Sequence, residues 1–136
     1  MIIVEDDPDV LLFLRLNLES AGYETSLAAD GSTAMRRIDN EKPDLVVLDL
    51  MLPLMDGWAI LAELHRRPDA PRVIVCSARG SSIEQERARE MGVVDYIVKP
   101  FSIEELLASV QRAFALGAGA DPLAAPDTPI EGIEPA

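Results

Sequence analysis

Residues 1–116 alternate short apolar runs with stretches of helical periodicity. Ile2–Val4 is a brief apolar run that stops at the acids Glu5, Asp6 and Asp7. Asp7-Pro8 then reads as an N-cap with proline at the first helical position. Val10, Leu11, Leu14 and Leu18 follow at helical spacing, and Gly22 is placed to end that helix. Tyr23–Ala28 reads as a modest strand, and Asp30-Gly31-Ser32 as the turn into a second helix through Ala34, Met35 and Ile38. After Pro43, Leu45–Leu48 is a continuous β-favouring run of the kind buried on both faces of a sheet.

The second half repeats the pattern. Gly57 opens a helix carrying Trp58, Leu61 and Leu64, and His65-Arg66-Arg67 close it against the helix dipole before Pro68. Val73–Cys76 is a fourth buried run. Ser81–Met91 reads as a helix with only Ile83, Ala88 and Met91 to bury, which predicts an element that opens more easily than its neighbours. Tyr96–Val98 is a fifth strand, and Ser102 caps a last helix that packs through Leu106, Leu107, Val110 and Phe114. Five strand–helix alternations predict an α/β fold, a doubly wound parallel sheet with helices on both faces. Ligands in such folds sit beyond the carboxyl ends of the strands.

Composition narrows the class. At 136 residues the chain is bounded to one domain, long enough to fold without a disulfide or structural metal. The lone Cys76 excludes a disulfide framework. No apolar run approaches the roughly 18 residues of a membrane span, and the N-terminus lacks the features of a signal peptide, so a cytoplasmic protein is expected. The net charge of −12 argues against direct nucleic-acid binding and against an anionic membrane surface. Residues 117–136 carry four acids and no base, and twelve of the twenty are Gly, Ala or Pro. That segment reads as a disordered tail, or as a linker to a further domain.

The strand ends carry the candidate chemistry. Glu5, Asp6 and Asp7 follow the first strand, Asp49 the third, Ser77 the fourth and Lys99-Pro100 the fifth. Two carboxylates ~5 Å apart repel by roughly 3 kcal/mol at an effective dielectric near 20, so a proton or a cation must sit among them. Oxygen ligands favour a hard ion, and few protein ligands suit Mg²⁺. Carboxylate, cation, amine and hydroxyl together are the parts of a phosphoryl-transfer site with Asp as nucleophile.

The chain resembles the receiver domain of two-component response regulators over residues 1–116. The motifs are Ile3-Val4-Glu5-Asp6-Asp7, Leu48-Asp49-Leu50-Met51-Leu52-Pro53, Met55-Asp56-Gly57, Ser77-Ala78-Arg79 and Tyr96-Ile97-Val98-Lys99-Pro100-Phe101, in that order. The resemblance implies a flavodoxin-like strand order 2-1-3-4-5. It implies Asp49 as acceptor of a phosphoryl group from a sensor histidine kinase or phosphotransfer protein. Mg²⁺ would be held by Asp6, Asp49 and the carbonyl of Met51, with Glu5 acting mostly through a bound water. Lys99 would pair with one phosphoryl oxygen and Ser77 with another, and Ser77 would let Tyr96 rotate inward. Lys99-Pro100 would be cis. Receivers catalyse only their own phosphorylation and dephosphorylation, and Met51 and Arg79 occupy positions that tune phosphate lifetime. The implied output is a shift of the fourth- and fifth-helix region toward a downstream protein effector.

Other features stand beside this reading. Val94, Ser109 and Gln111 replace charges common on the family's dimer face, where Asp95 and Arg112 remain, so dimerisation there is not expected. Leu54 is an uncommon apolar choice in the loop after Asp49. Asp7 reads as a capping residue, Cys76 as core and His65 as a solvated helix end. Met51 stands where haloacid dehalogenase relatives place a second Asp, which disfavours that chemistry. An unphosphorylated pseudo-receiver scaffold, and the N-terminal receiver of a longer DNA-binding regulator, are the alternatives.

Overall fold

Five parallel strands form one sheet in a computed structural model that describes residues 1–53 and 55–115. The expectations for Leu54 and for residues 117–136 lie outside the described residues. The strands are β1 (Ile2–Val4), β2 (Ser26–Ala28), β3 (Leu45–Leu48), β4 (Arg72–Ser77) and β5 (Asp95–Val98). The helices are α1 (Pro8–Ser20), α2 (Gly31–Glu41), α3 (Gly57–His65), α4 (Ser82–Glu90) and α5 (Ile103–Ala115). The strand order is β2-β1-β3-β4-β5, all parallel, as the resemblance implies.

Two apolar layers follow from the period-2 alternation of the strands. Val4, Leu48 and Val75 face α2, α3 and α4, against Ile38, Leu61, Leu64 and Ala88. Ile3, Val47, Ile74 and Ile97 face α1 and α5, against Leu14, Leu18, Leu106 and Val110. All of β3 is buried, each large side chain contributing roughly 1.5–3 kcal/mol on removal from water.

The helices start where the sequence places their caps. Asp7 Oδ1 accepts from the amides of Asp9 and Val10, with Pro8 at the first helical position. Asp30 caps α2, Asp56 caps α3 and Ser81 caps α4. Ser102 and Glu105 close a reciprocal capping box at α5. Gly22 follows α1 with φ +97°.

Three expectations are corrected. The second strand covers only Ser26–Ala28; Tyr23 instead stacks on Phe114, with centroids 5.6 Å apart. Phe114 is consequently a rim residue, 40% exposed, rather than part of the core. Ile83 is 79% exposed, so α4 buries only Ala88, with Met91 packed beside it at its C-cap. Cys76 is buried in β4, His65 lies exposed in the last turn of α3, and Lys99-Pro100 is cis, all as expected. Among the described residues, no helix is long and apolar enough to cross a membrane.

Candidate functional site

The site is built by letting β1, β3 and β5 each run one step past its end, with Ser77 closing β4 beside them. The Glu5 amide donates to the Ala28 carbonyl (3.0 Å), the Asp49 amide to Val4 (2.9 Å) and the Lys99 amide to Ser77 (2.8 Å). Strand geometry therefore still fixes these backbones where the side chains turn polar. Alternation carries Glu5, Asp49 and Lys99 to the same side of the sheet as Ile3, Val47 and Ile97. Ser77 and Tyr96 share the parity of Val75 and fall on the α3–α4 side.

Glu5 is 1% exposed and Asp49 5% exposed. Between them lies Lys99, whose Nζ donates to Glu5 Oε1 at 2.6 Å and Asp49 Oδ2 at 3.3 Å. Asp49 Oδ1 accepts from the Met51 amide at 3.0 Å. Burial pushes the Glu5 carboxyl above its ordinary range, and the bond from Lys99 offsets this only in part. Burial works against the Lys99 ammonium too, yet Glu5 and the nearby Asp49 charge outweigh it and hold Lys99 above the usual lysine value. Carboxylate oxygens of Glu5, Asp6 and Asp49 lie within 4.8 Å of one another, with Asp6 on the exposed rim. This all-oxygen set, with one ammonium against three carboxylates, fits a hard divalent cation. Asp7 does not join it, because its carboxylate is spent on capping α1.

The hydroxyl side is organised around Arg79. Ser77 is fully buried, and its Oγ accepts from the Arg79 amide at 3.1 Å. The Tyr96 hydroxyl donates to the Arg79 carbonyl, and its burial raises the phenol pKa. The Arg79 guanidinium pairs with Glu84 at 3.7 Å. Met51, Trp58, Ser77, Arg79 and Glu84 line a cleft of about 180 Å³ beside the acidic edge. Glu5, Asp6, Asp49, Met51, Ser77 and Lys99 thus fall at this edge; Tyr96 lies within β5 and reaches it only through the Arg79 carbonyl, and Pro100 carries the cis bond after Lys99.

Sequence reasoning missed three features here. The direct Lys99–Glu5 bond spans 94 residues and has no local signal. Gly57 leaves no room for a side chain: a Cβ there would lie 2.4 Å from Leu50 Cα and 2.6 Å from the Asp49 carbonyl oxygen. Arg87 of α4 stacks over the Trp58 ring of α3, 4.0 Å from its centroid. On the proposed output face, Asp95 accepts from Ser109 (2.8 Å) and from Arg112 within the same chain.

The family model for the response regulator receiver domain matches residues 1–111. The transcriptional activator protein IrlR of Burkholderia pseudomallei is 38% identical over 117 residues, covering 86% of this chain and 51% of IrlR. The chain thus spans about half the length of that relative. The Francisella response regulator 1452 receiver domain superposes with a TM-score of 0.80 at 32% identity, covering 84% of this chain and 94% of the other. A Burkholderia pseudomallei response regulator, solved with a phosphorylated aspartic acid, a calcium ion and citrate, superposes with a TM-score of 0.73 at 28% identity, over 84% of this chain and 68% of the other. Sequence and fold agree, and this chain belongs to the response regulator receiver family.

Proposed function

We propose that this chain is a phosphorylation-operated switch in which Asp49 receives a phosphoryl group from a sensor histidine kinase or phosphotransfer protein. The observation that carries the reading is a buried carboxylate bonded to the Lys99 ammonium beside the carboxylates of buried Glu5 and exposed Asp6. An Asp49 oxygen forms the bond to phosphorus while the phosphorus–nitrogen bond of the donor phosphohistidine breaks, and the departing imidazole takes up a proton. Lys99 is positioned to neutralise a phosphoryl oxygen. Ser77, whose Oγ accepts from the Arg79 amide and whose hydroxyl also meets the Tyr96 side chain, would turn its hydrogen to another.

Mg²⁺ would be held by Asp6, Asp49 and the Met51 carbonyl, with Glu5 behind them, and would supply charge neutralisation at the phosphoryl oxygens. The chemistry acts only on the chain's own Asp49, and the phosphorylated domain works by binding a downstream effector protein. We place the switch in the cytoplasm, with residues 1–116 as the receiver. On α1, which begins beside the acidic rim, Leu12, Phe13 and Leu16 form an exposed apolar stripe suited to a partner helix. Relatives named as transcriptional regulators support the longer-regulator reading of the output; the chain's own net charge of −12 argues against direct DNA contact by these residues.

A beryllofluoride titration with Mg²⁺, followed by amide NMR, tests this. We expect saturable one-to-one shifts at Asp49, Ser77, Tyr96 and Lys99, absent in Asp49→Asn. Failure of the wild type to bind beryllofluoride and to accept phosphate from acetyl phosphate would leave the fold as an unphosphorylated scaffold.

A further inference from the structure

Among the described helices, α4 buries the fewest residues: Ala88 alone, against two in α1, three in α2 and four each in α3 and α5. Ile83, which helical spacing would assign to its anchor, points into solvent. Something other than apolar burial holds this helix, and the arrangement of its charges identifies it. Arg89 pairs with Glu86, and Glu84 with Arg79. Arg87 has Glu84 and Glu90 three residues to either side, yet makes no ion pair among the described residues; its guanidinium lies over Trp58. Trp58 in turn packs against the core layer beneath α3. The cation–π stack therefore ties the helix with the fewest buried residues to one with four.

The same tie lies at the end of a chain of contacts from the phosphoryl site. The amide and carbonyl of Arg79 are held by Ser77 and Tyr96, and its side chain by Glu84 in the first turn of α4. Arg79 stands two residues before Ser81, which caps α4. A Ser77 hydroxyl drawn toward phosphate gives up the Arg79 amide, and the loop leading into α4 loses one of its restraints. Trp58 lines the same cleft as Ser77, Arg79 and Glu84, so displacement of that loop acts next to the stack.

We propose that Arg87 and Trp58 form a latch that holds α4 against α3, and that the latch opens when the loop between β4 and α4 moves toward a phosphorylated Asp49. The opening half rests on the phosphoryl reading above; the holding half does not. Both residues lie outside the phosphoryl-transfer machinery.

The experiment is amide hydrogen exchange across α4 in the full chain, for the wild type, Arg87→Gln, Arg87→Lys and Trp58→Phe. A partly exposed cation–π contact is worth enough to change local opening about two- to five-fold. We expect Arg87→Gln to speed exchange at α4 by that factor while α1 and α5 are unchanged, and Arg87→Lys to restore part of the protection. In a Trp58→Phe background the effect of Arg87→Gln should shrink. Equal exchange in wild type and Arg87→Gln overturns the latch. With beryllofluoride and Mg²⁺ bound, the gap between wild type and Arg87→Gln should close, because the latch is already open. A gap that persists in protein shown to be loaded overturns the opening half. Failure to load at all overturns that half together with the phosphoryl reading, and the first comparison still decides whether the latch exists.

Discussion

Replacing Lys99 by Met isolates the electrostatics of the site. Lys99 lies 2.6 Å from a Glu5 oxygen and 3.3 Å from an Asp49 oxygen. At an effective dielectric near 20 these attractions are about 6 and about 5 kcal/mol, but much of that repays desolvation. The net loss has a ceiling, because Glu5 can escape by taking up a proton. Protonating a carboxyl whose ordinary value is 4.5 costs about 3.4 kcal/mol at pH 7 and about 0.7 kcal/mol at pH 5. Asp49 keeps the Met51 amide as a partner. Since burial already raises Glu5 in the wild type, part of this cost is present there too. The added loss at pH 7 is therefore about 2–3 kcal/mol.

The sign of the pH dependence follows from the direction of the Glu5 shift. A carboxyl raised in the folded state binds more protons there than in the unfolded chain, so stability falls as pH rises from the ordinary value through the folded one. Lys99 works over a different window: its raised value gives stability fully present below the ordinary lysine pKa and lost as pH rises through the folded one. The deficit of Lys99→Met should then shrink markedly between about pH 7 and about pH 5. Adding Glu5→Gln should recover most of it at neutral pH. Urea unfolding with a chelator present, followed by circular dichroism, measures all three quantities. A variant as stable as the wild type at pH 7, or a deficit of the same size at both pH values, would contradict this electrostatic role for Lys99.

A divalent cation at tenfold its dissociation constant should stabilise the fold by about 1.4 kcal/mol, and Asp6→Asn should weaken that gain in thermal scans with and without Mg²⁺. Acidification should erase it as the carboxylates take up protons. Burial pushes the Cys76 thiol up to about 12, so a thiol reagent at mildly alkaline pH should label the chain only when denaturant is added. Gly57→Ala should cost upwards of about 2 kcal/mol in urea unfolding, since its methyl group would meet the Leu50 and Asp49 backbone rather than a movable side chain.

Much of the fold was legible because the central strands β1, β3 and β4 are buried almost throughout and read as unbroken apolar runs, Leu45–Leu48 above all. The caps were legible because an Asp or Ser before a helical segment satisfies free amides, as Asp7 and Ser102 do. The candidate site followed from topology: in a parallel sheet, residues just past the strands meet at one edge. What escaped the sequence depends on contacts between distant elements. Ile83 looked like an anchor by spacing, but a nine-residue helix fixed by caps, ion pairs and one stack does not need it inside. Tyr23 has the composition of a strand residue and is drawn to Phe114 instead. Nor does spacing tell whether Lys99 will meet Glu5 or Asp49 first; strand parity puts all three on one side, and burial decides the rest.

The switch stands or falls on Asp49 taking up phosphate in a cation-dependent reaction. Intact mass after incubation with acetyl phosphate tests it most directly, using the wild type with Mg²⁺, the wild type with chelator, and Asp49→Asn with Mg²⁺. We expect one phosphoryl group on the wild type with Mg²⁺ and none in the other two samples. Phosphate carried equally by Asp49→Asn, or gained equally without the cation, would contradict the assignment.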